Sequence, residues 1–198
     1  MPVTPKHHVS SAPQYSPLDS VPEYKGTWTA AHILQNHNTA NNSLTMPNPL
    51  KPSKNAIIYS MVDGEPYVGM PPTKPVTLPV LLYSRKSVTE PPTFNMEKVG
   101  ECTYVISARG HKTREENGLL IGSIEGEAQR WYIEYIERND AYVIAKENDR
   151  GVGWVAPSPE NKEEREEERQ IRVRQLIVGP SHPPYHPSNQ LFRFRYED

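Results

Sequence analysis

One pattern recurs three times in this chain and limits what it can become. Asn55–Met61 (NAIIYSM), Thr103–Arg109 (TYVISAR) and Ala141–Glu147 (AYVIAKE) are nearly superimposable, each a short run of aliphatic, aromatic and β-branched residues. The first strands are offset by about 48 and then about 38 residues, within the range of repeat architectures. Each is followed by a turn and a glycine-bearing strand, read as Pro66–Gly69, Leu119–Gly122 and Gly151–Val155. Each unit closes with an aromatic strand, led by Phe94, Trp131 and Phe192.

The segments between these landmarks have the same texture. Pro79–Ser84, Thr93–Lys98, Gln129–Ile136 and Val152–Ala156 are short, and most end at Gly, Pro, Asn or Asp. The chain finishes in Gln170–Asp198, which reads as two strands around a stiff loop. Ile171, Val173 and Leu176–Val178 form one run, and Phe192, Phe194 and Tyr196 share a face of the other. Pro183, Pro184 and Pro187 bar a helix between them. These features predict an all-β protein. Three pseudo-repeats of roughly four strands describe a β-trefoil; an irregular sandwich would explain the strands but not the threefold recurrence.

Proline marks the domain boundary. The chain has 21 prolines among its 198 residues, and the first 54 positions carry several of them among Ser, Thr, Asn and His. Such a composition buries too little apolar surface to offset chain entropy. Residues 1–54 are therefore read as a largely irregular N-terminal extension, with Trp28 and Ile33 in Tyr24–Leu34 as its docking candidates, and 55–198 as the domain. The run from Asn161 to Arg169 reads as a solvated charged insertion.

Composition removes several function classes. A net charge of −2 does not select nucleic acid or an anionic membrane. Cys102 is the single cysteine, so no internal disulfide or cysteine metal site can form. The N-terminus lacks an apolar signal core, so a cytoplasmic location is expected. No nucleophile elbow, P-loop, zinc-protease helix or dinucleotide fingerprint occurs. His182 and His186 are four apart, but prolines between them rule out a shared helical face. Glu134 and Glu137 read as outward residues of an alternating strand, and Trp131, Trp154 and Phe192 as core. Cys102 reads as a buried structural thiol. No catalytic residue, cofactor or metal is expected, and the chain reads as a monomer.

Two motifs point further. Arg174–Leu191 (RQLIVGPSHPPYHPSNQL) resembles the C-terminal signature of a fungal β-trefoil family of serine protease inhibitors, and Gly151–Pro157 and Ala56–Gly69 are similar to its last-repeat strand and first hairpin. The resemblance covers about residues 55–198. It implies a defence protein that blocks a serine protease with a stiff exposed loop entering the cleft. It places that loop between the second and third strands of the first repeat, here Gly69–Leu78, with Met70, Pro71, Pro72, Thr73 and Lys74 as the protease-binding residues. Met70 stands nearest the position that fills the specificity pocket, and a thioether suits an apolar pocket. Trypsin-inhibiting members carry an Asn in this loop and this chain has none; Lys74 is followed by Pro75, which hinders substrate-like docking. Arg85-Lys86 and Gly110–Asn117 are the other basic loop candidates. Two alternatives stand beside this reading. A trefoil lectin is suggested by the single Gln129-Arg130-Trp131 match, and a cysteine protease inhibitor would use other loops.

Overall fold

The computed structural model describes residues 50–73, 75–157 and 169–197. The extension up to residue 49, the acidic run at 161–168 and Lys74 lie outside the described residues. The domain is all-β. Its first unit holds β1 (Ser53–Ser60), β2 (Tyr67–Gly69), β3 (Thr77–Pro79), β4 (Leu81–Tyr83) and β5 (Phe94–Lys98). The second holds β6 (Thr103–Ala108), β7 (His111–Glu116), β8 (Leu119–Ser123) and β9 (Arg130–Ile136). The third holds β10 (Ala141–Lys146), β11 (Val152–Val155), β12 (Arg172–Gln175) and β13 (Phe192–Tyr196). Helix among the described residues is limited to short 3-10 turns such as Glu137–Asn139 and Ser188–Gln190.

The first and last strands of the units pair into a closed antiparallel ring, β1–β5–β6–β9–β10–β13 and back to β1. The ring keeps the threefold register seen in the sequence. Ala56 faces Phe94, Tyr104 faces Trp131, and Tyr142 faces Phe192. Three hairpins, β2–β4, β7–β8 and β11–β12, hang from the first strands through Tyr59–Tyr67, Ser107–Lys112 and Ala145–Gly153. Those anchor points are also equivalent along the three units. The hairpins interlock, with β8 receiving both β3 and β12.

Burial follows from the alternation. Ile58, Ile106 and Ile144 sit at the same place in the three repeated segments and are fully buried, as are Phe94, Trp131 and Phe192. Trp154 packs edge-on against Trp131, ring centroids 5.4 Å apart, and against Phe192 at 5.8 Å. Such pairs add about 0.5–1.5 kcal/mol each beyond area burial. The Trp131 indole N–H donates to Thr113 Oγ1 at 2.9 Å, and the Thr113 hydroxyl donates to the Ile106 carbonyl at 2.9 Å, so this buried polar pair is satisfied. Gly153 is required by close approach: a Cβ there would lie 2.3 Å from the Ile144 carbonyl oxygen.

Three readings of the sequence change. Residues 110–117 form a strand and its turn, not a basic loop. In β7 the buried face is made by His111 and Thr113, with Glu115 half-buried, while Lys112 points to solvent. Polar side chains can line this face because each has a partner. Glu115 accepts from the Gly118 amide at 2.7 Å and from Lys146 Nζ at 3.3 Å, and its own amide donates to Gln129 Oε1 at 2.7 Å. The second strand of the middle unit is therefore β7, and Leu119–Gly122 belongs to the third. The C-terminal strands do not pair with each other: β12 joins β11 and β8, while β13 returns to β1 and β10. Ile177 and Val178 fall outside both and are 63% and 54% exposed. Cys102 is half-buried rather than enclosed.

The domain's packing also includes residues upstream of Asn55. Leu50 is buried in the core cluster, its carbonyl accepts the Tyr104 hydroxyl at 2.8 Å, and the Lys51 amide donates to the Tyr196 hydroxyl at 3.2 Å. Leu50→Ala in the full chain is expected to lower the unfolding free energy by about 2 kcal/mol or more, read from urea denaturation; an unchanged midpoint would show that Leu50 adds nothing to the core.

Glu115 supplies a pH test. The Gly118 amide is the main cause holding its carboxyl below the ordinary glutamate range; partial burial opposes this, and Lys146 adds to the lowering. A depressed carboxylate stabilises the fold above its unfolded pKa, and that contribution is lost as pH falls through the folded value. Glu115→Gln is expected to cost about 1 kcal/mol at neutral pH, with the gap to the parent closing in acid as the folded carboxylate is protonated, below the ordinary glutamate range. A gap of equal size at neutral and acid pH would assign the loss to packing instead.

Candidate functional site

The connection from β2 to β3 is built to stand still. Pro71, Pro72 and Pro75 fix three φ angles in a short span. Its two ends are fastened to the barrel. At the start, Met70 is 4% exposed and lies in the core cluster. Gly122 of β8 makes the space for it, since a Cβ there would come within 2.5 Å of the Met70 methyl. At the end, the Pro75 carbonyl lies 2.9 Å from His111 Nε2, the Val76 carbonyl accepts the Ile124 amide at 3.1 Å, and Thr77 pairs with Ser123. Between these feet Pro71 is half-buried, and Pro72 and Thr73 are exposed.

A cleft of about 520 Å³ opens beside this loop, lined among others by Met70, Pro72, Glu90, Pro91, Pro92 and Arg109. The loop is thus a raised, proline-stiffened edge with a concave surface at its flank.

The sequence-predicted residues separate here. Pro71, Pro72 and Thr73 form the accessible part. Met70 does not project from the loop: its side chain is enclosed, so it acts as the loop's anchor and cannot enter a partner's pocket without leaving the core. Lys74 lies outside the described residues. Arg85 is engaged elsewhere. It pairs with Glu65 at 3.0 Å, donates to the Glu65 carbonyl at 2.7 Å and lies over the rings of Tyr59 and Tyr67, bracing the β1–β2 turn. Lys112 is exposed on β7, two residues after the Arg109-Gly110 turn and paired with Ser107.

Other candidates resolve into structural roles. Gln129 accepts the Glu115 amide and Trp131 is fully buried, so the Gln129-Arg130-Trp131 match offers no aromatic platform to a sugar. Glu134 and Glu137 face solvent, and so does His182, while His186 is half-buried. Among the described residues no cluster of histidine, cysteine or carboxylate side chains could hold a metal ion.

Two residues that fasten the loop escaped the sequence reading, His111 and Gly122. The signal for His111 was its period-two spacing from Thr113 and Glu115 beside a tight turn. For Gly122 it was a glycine inside a strand, which marks close approach of another group.

A serine protease inhibitor of Lentinula edodes is 38% identical over 105 residues, spanning 51% of this chain and 67% of its own. The structure of a proteinase inhibitor from Coprinopsis cinerea superposes with a TM-score of 0.62 at 21% identity, covering 75% of this chain and 99% of that one. A Polyporus squamosus lectin bound to a sialylated glycan epitope shares the fold more distantly, with a TM-score of 0.53 at 17% identity over 74% of this chain and 50% of its own. The family profile of peptidase inhibitor I66, a family of inhibitors and not of enzymes, matches residues 58–196. The chain belongs to the peptidase inhibitor I66 family.

Proposed function

We propose that this protein inhibits a serine protease by inserting the β2–β3 loop into the enzyme's cleft, and that its fold is a β-trefoil. The closed six-strand ring with one hairpin per unit supports the trefoil. The observation that carries the inhibitory reading is a loop fixed at both ends with an exposed proline-rich apex. Ordering entropy that a flexible peptide loses on binding has been spent here in folding, which favours tight association. The Lentinula relative is named a serine protease inhibitor, and this supports the serine type.

The apex suggests the class of target. Pro72 and Thr73 offer an apolar, small-volume surface. Lys74, the loop's basic residue, precedes Pro75, whose ring lacks the backbone N–H and limits the approach of an enzyme that binds a basic side chain. The partner is a protease with a small or apolar specificity pocket, and trypsin is inhibited weakly. The protein acts as a monomer, with one loop per chain.

A panel of trypsin, chymotrypsin, elastase and subtilisin tests this with the full chain. Inhibition is expected to be stronger for the enzymes with apolar pockets. Thr73→Asp should weaken it by a hot-spot amount, about 2 kcal/mol or roughly 30-fold, and leave the thermal midpoint in place. If Thr73→Asp inhibits as well as the parent while a change at Arg85 or Lys112 abolishes binding, another loop makes the contact.

A further inference from the structure

We propose that His111 is the positioning residue that holds the protease-binding loop in its inhibitory shape, an inference that rests on the loop reading above. His111 follows the Arg109-Gly110 turn, both residues of which have positive φ, 53° and 84°. That turn brings the imidazole in from β7 to a site where it is 6% exposed. Its Nε2 lies 2.9 Å from the Pro75 carbonyl oxygen, across 36 residues of chain, and its Nδ1 lies 3.3 Å from the Arg109 carbonyl. The shorter contact puts a proton on Nε2, which donates to Pro75.

The bond is placed where it governs the loop and little else. Pro75 is itself exposed, so water can solvate its carbonyl if the histidine is lost. Breaking the contact therefore leaves no buried acceptor unpaired. The loss falls on the geometry of the loop. Gly122 joins this anchor to the other one. A Cβ on Gly122 would meet the Met70 sulfur at 2.6 Å and the His111 Cβ at 3.1 Å. Both feet of the loop thus stand on one glycine of β8, Met70 as an apolar plug and His111 as a polar latch. Without the latch, the stretch free of the barrel runs from Met70 to the Val76 carbonyl, which the Ile124 amide holds; with it, that stretch ends at Pro75 and leaves fewer conformations to the exposed Pro72 and Thr73. A protease-binding loop that can swing admits more conformations, binds more weakly and is cut as a substrate.

The test compares His111→Leu with His111→Gln in the full chain. Leu fills the site without a donor. Gln carries an amide nitrogen the same number of bonds from Cβ as Nε2. Against the enzyme of the four-protease panel that the parent inhibits best, His111→Leu is expected to inhibit at least about tenfold less well, through faster dissociation. Its loop should be cleaved between residues 71 and 75, as mapped by mass spectrometry, and His111→Gln should restore both inhibition and resistance to cleavage. In the parent, long-range nitrogen–proton NMR correlation should find the proton on Nε2. The latch is overturned if His111→Leu inhibits like the parent with an intact loop, if Nε2 carries no proton, or if both variants lose inhibition together with an equal drop in thermal midpoint. Failure of the loop reading is separable. It shows as no effect of Thr73→Asp, and the latch is then decided by hydrogen exchange at the Ile124 amide, which donates to Val76. Exchange faster in His111→Leu but not in His111→Gln upholds it, and parent-like exchange in His111→Leu overturns it.

Discussion

The return of the last strand to the first holds this domain together. β13 pairs with β1 from Ala56–Tyr196 through Ser60–Phe192, and this ladder closes the ring. An open sheet would leave two rows of unpaired N–H and C=O groups and an uncovered apolar face. Closure removes both at once, and it is what lets Phe94, Trp131 and Phe192 meet around one core. The closing ladder joins segments more than a hundred residues apart in sequence, so chain entropy must be overcome before it contributes. The threefold register eases this, because each unit presents its neighbour with the same strand spacing and the same buried position.

Regularity in the ring leaves the hairpins free to differ. β11–β12 is reinforced by Trp154, whereas β7–β8 carries Thr113, His111 and Glu115 on its inner side. A polar inner face is costly unless every group is paired. Here Thr113 links Trp131 to the Ile106 carbonyl, Glu115 ties β7 to its own turn and to β10 through Lys146, and His111 reaches the first unit. The polar residues of β7 therefore connect all three units, which aliphatic side chains would do without direction. The β2–β3 connection of the first unit thus takes part of its shape from the second.

The ring was legible in the sequence because its strands bury one face and repeat. Ile58, Ile106 and Ile144, with the three closing aromatics, mark it without any structure. The hairpins were less legible, for a physical reason. β7 meets no apolar-alternation criterion, since its inner side chains are satisfied by hydrogen bonds whose partners lie up to 36 residues away. Gln170–Val178 has strong strand composition, yet Ile177 and Val178 are left in the open after β12 ends. The position of the candidate loop came from resemblance, and its stiffness from proline. Which of its residues face outward did not follow. Val68 and Met70 are two apart and both buried, so Met70 continues the inward face of β2 past the strand's end; without knowledge of Gly122 opposite, nothing distinguished a buried methionine from a projecting one.

That reversal of Met70 changes the physics assigned to the loop. A methionine filling a protease pocket would contribute binding energy directly, through apolar area moved from water into the enzyme. A methionine filling the inhibitor's own core contributes nothing to the contact and instead removes freedom from what stands above it. The same side chain thereby shifts from an attractive term in the complex to a reduction of the entropy lost on forming it. On the proposed reading, Pro72 and Thr73 would meet the enzyme and can vary while Met70, Gly122 and His111 stay as they are, because target choice and loop rigidity would reside in different residues. On that proposal specificity is set at the exposed residues of the loop and strength at its fastened ends, and the two are joined through a short proline-rich backbone.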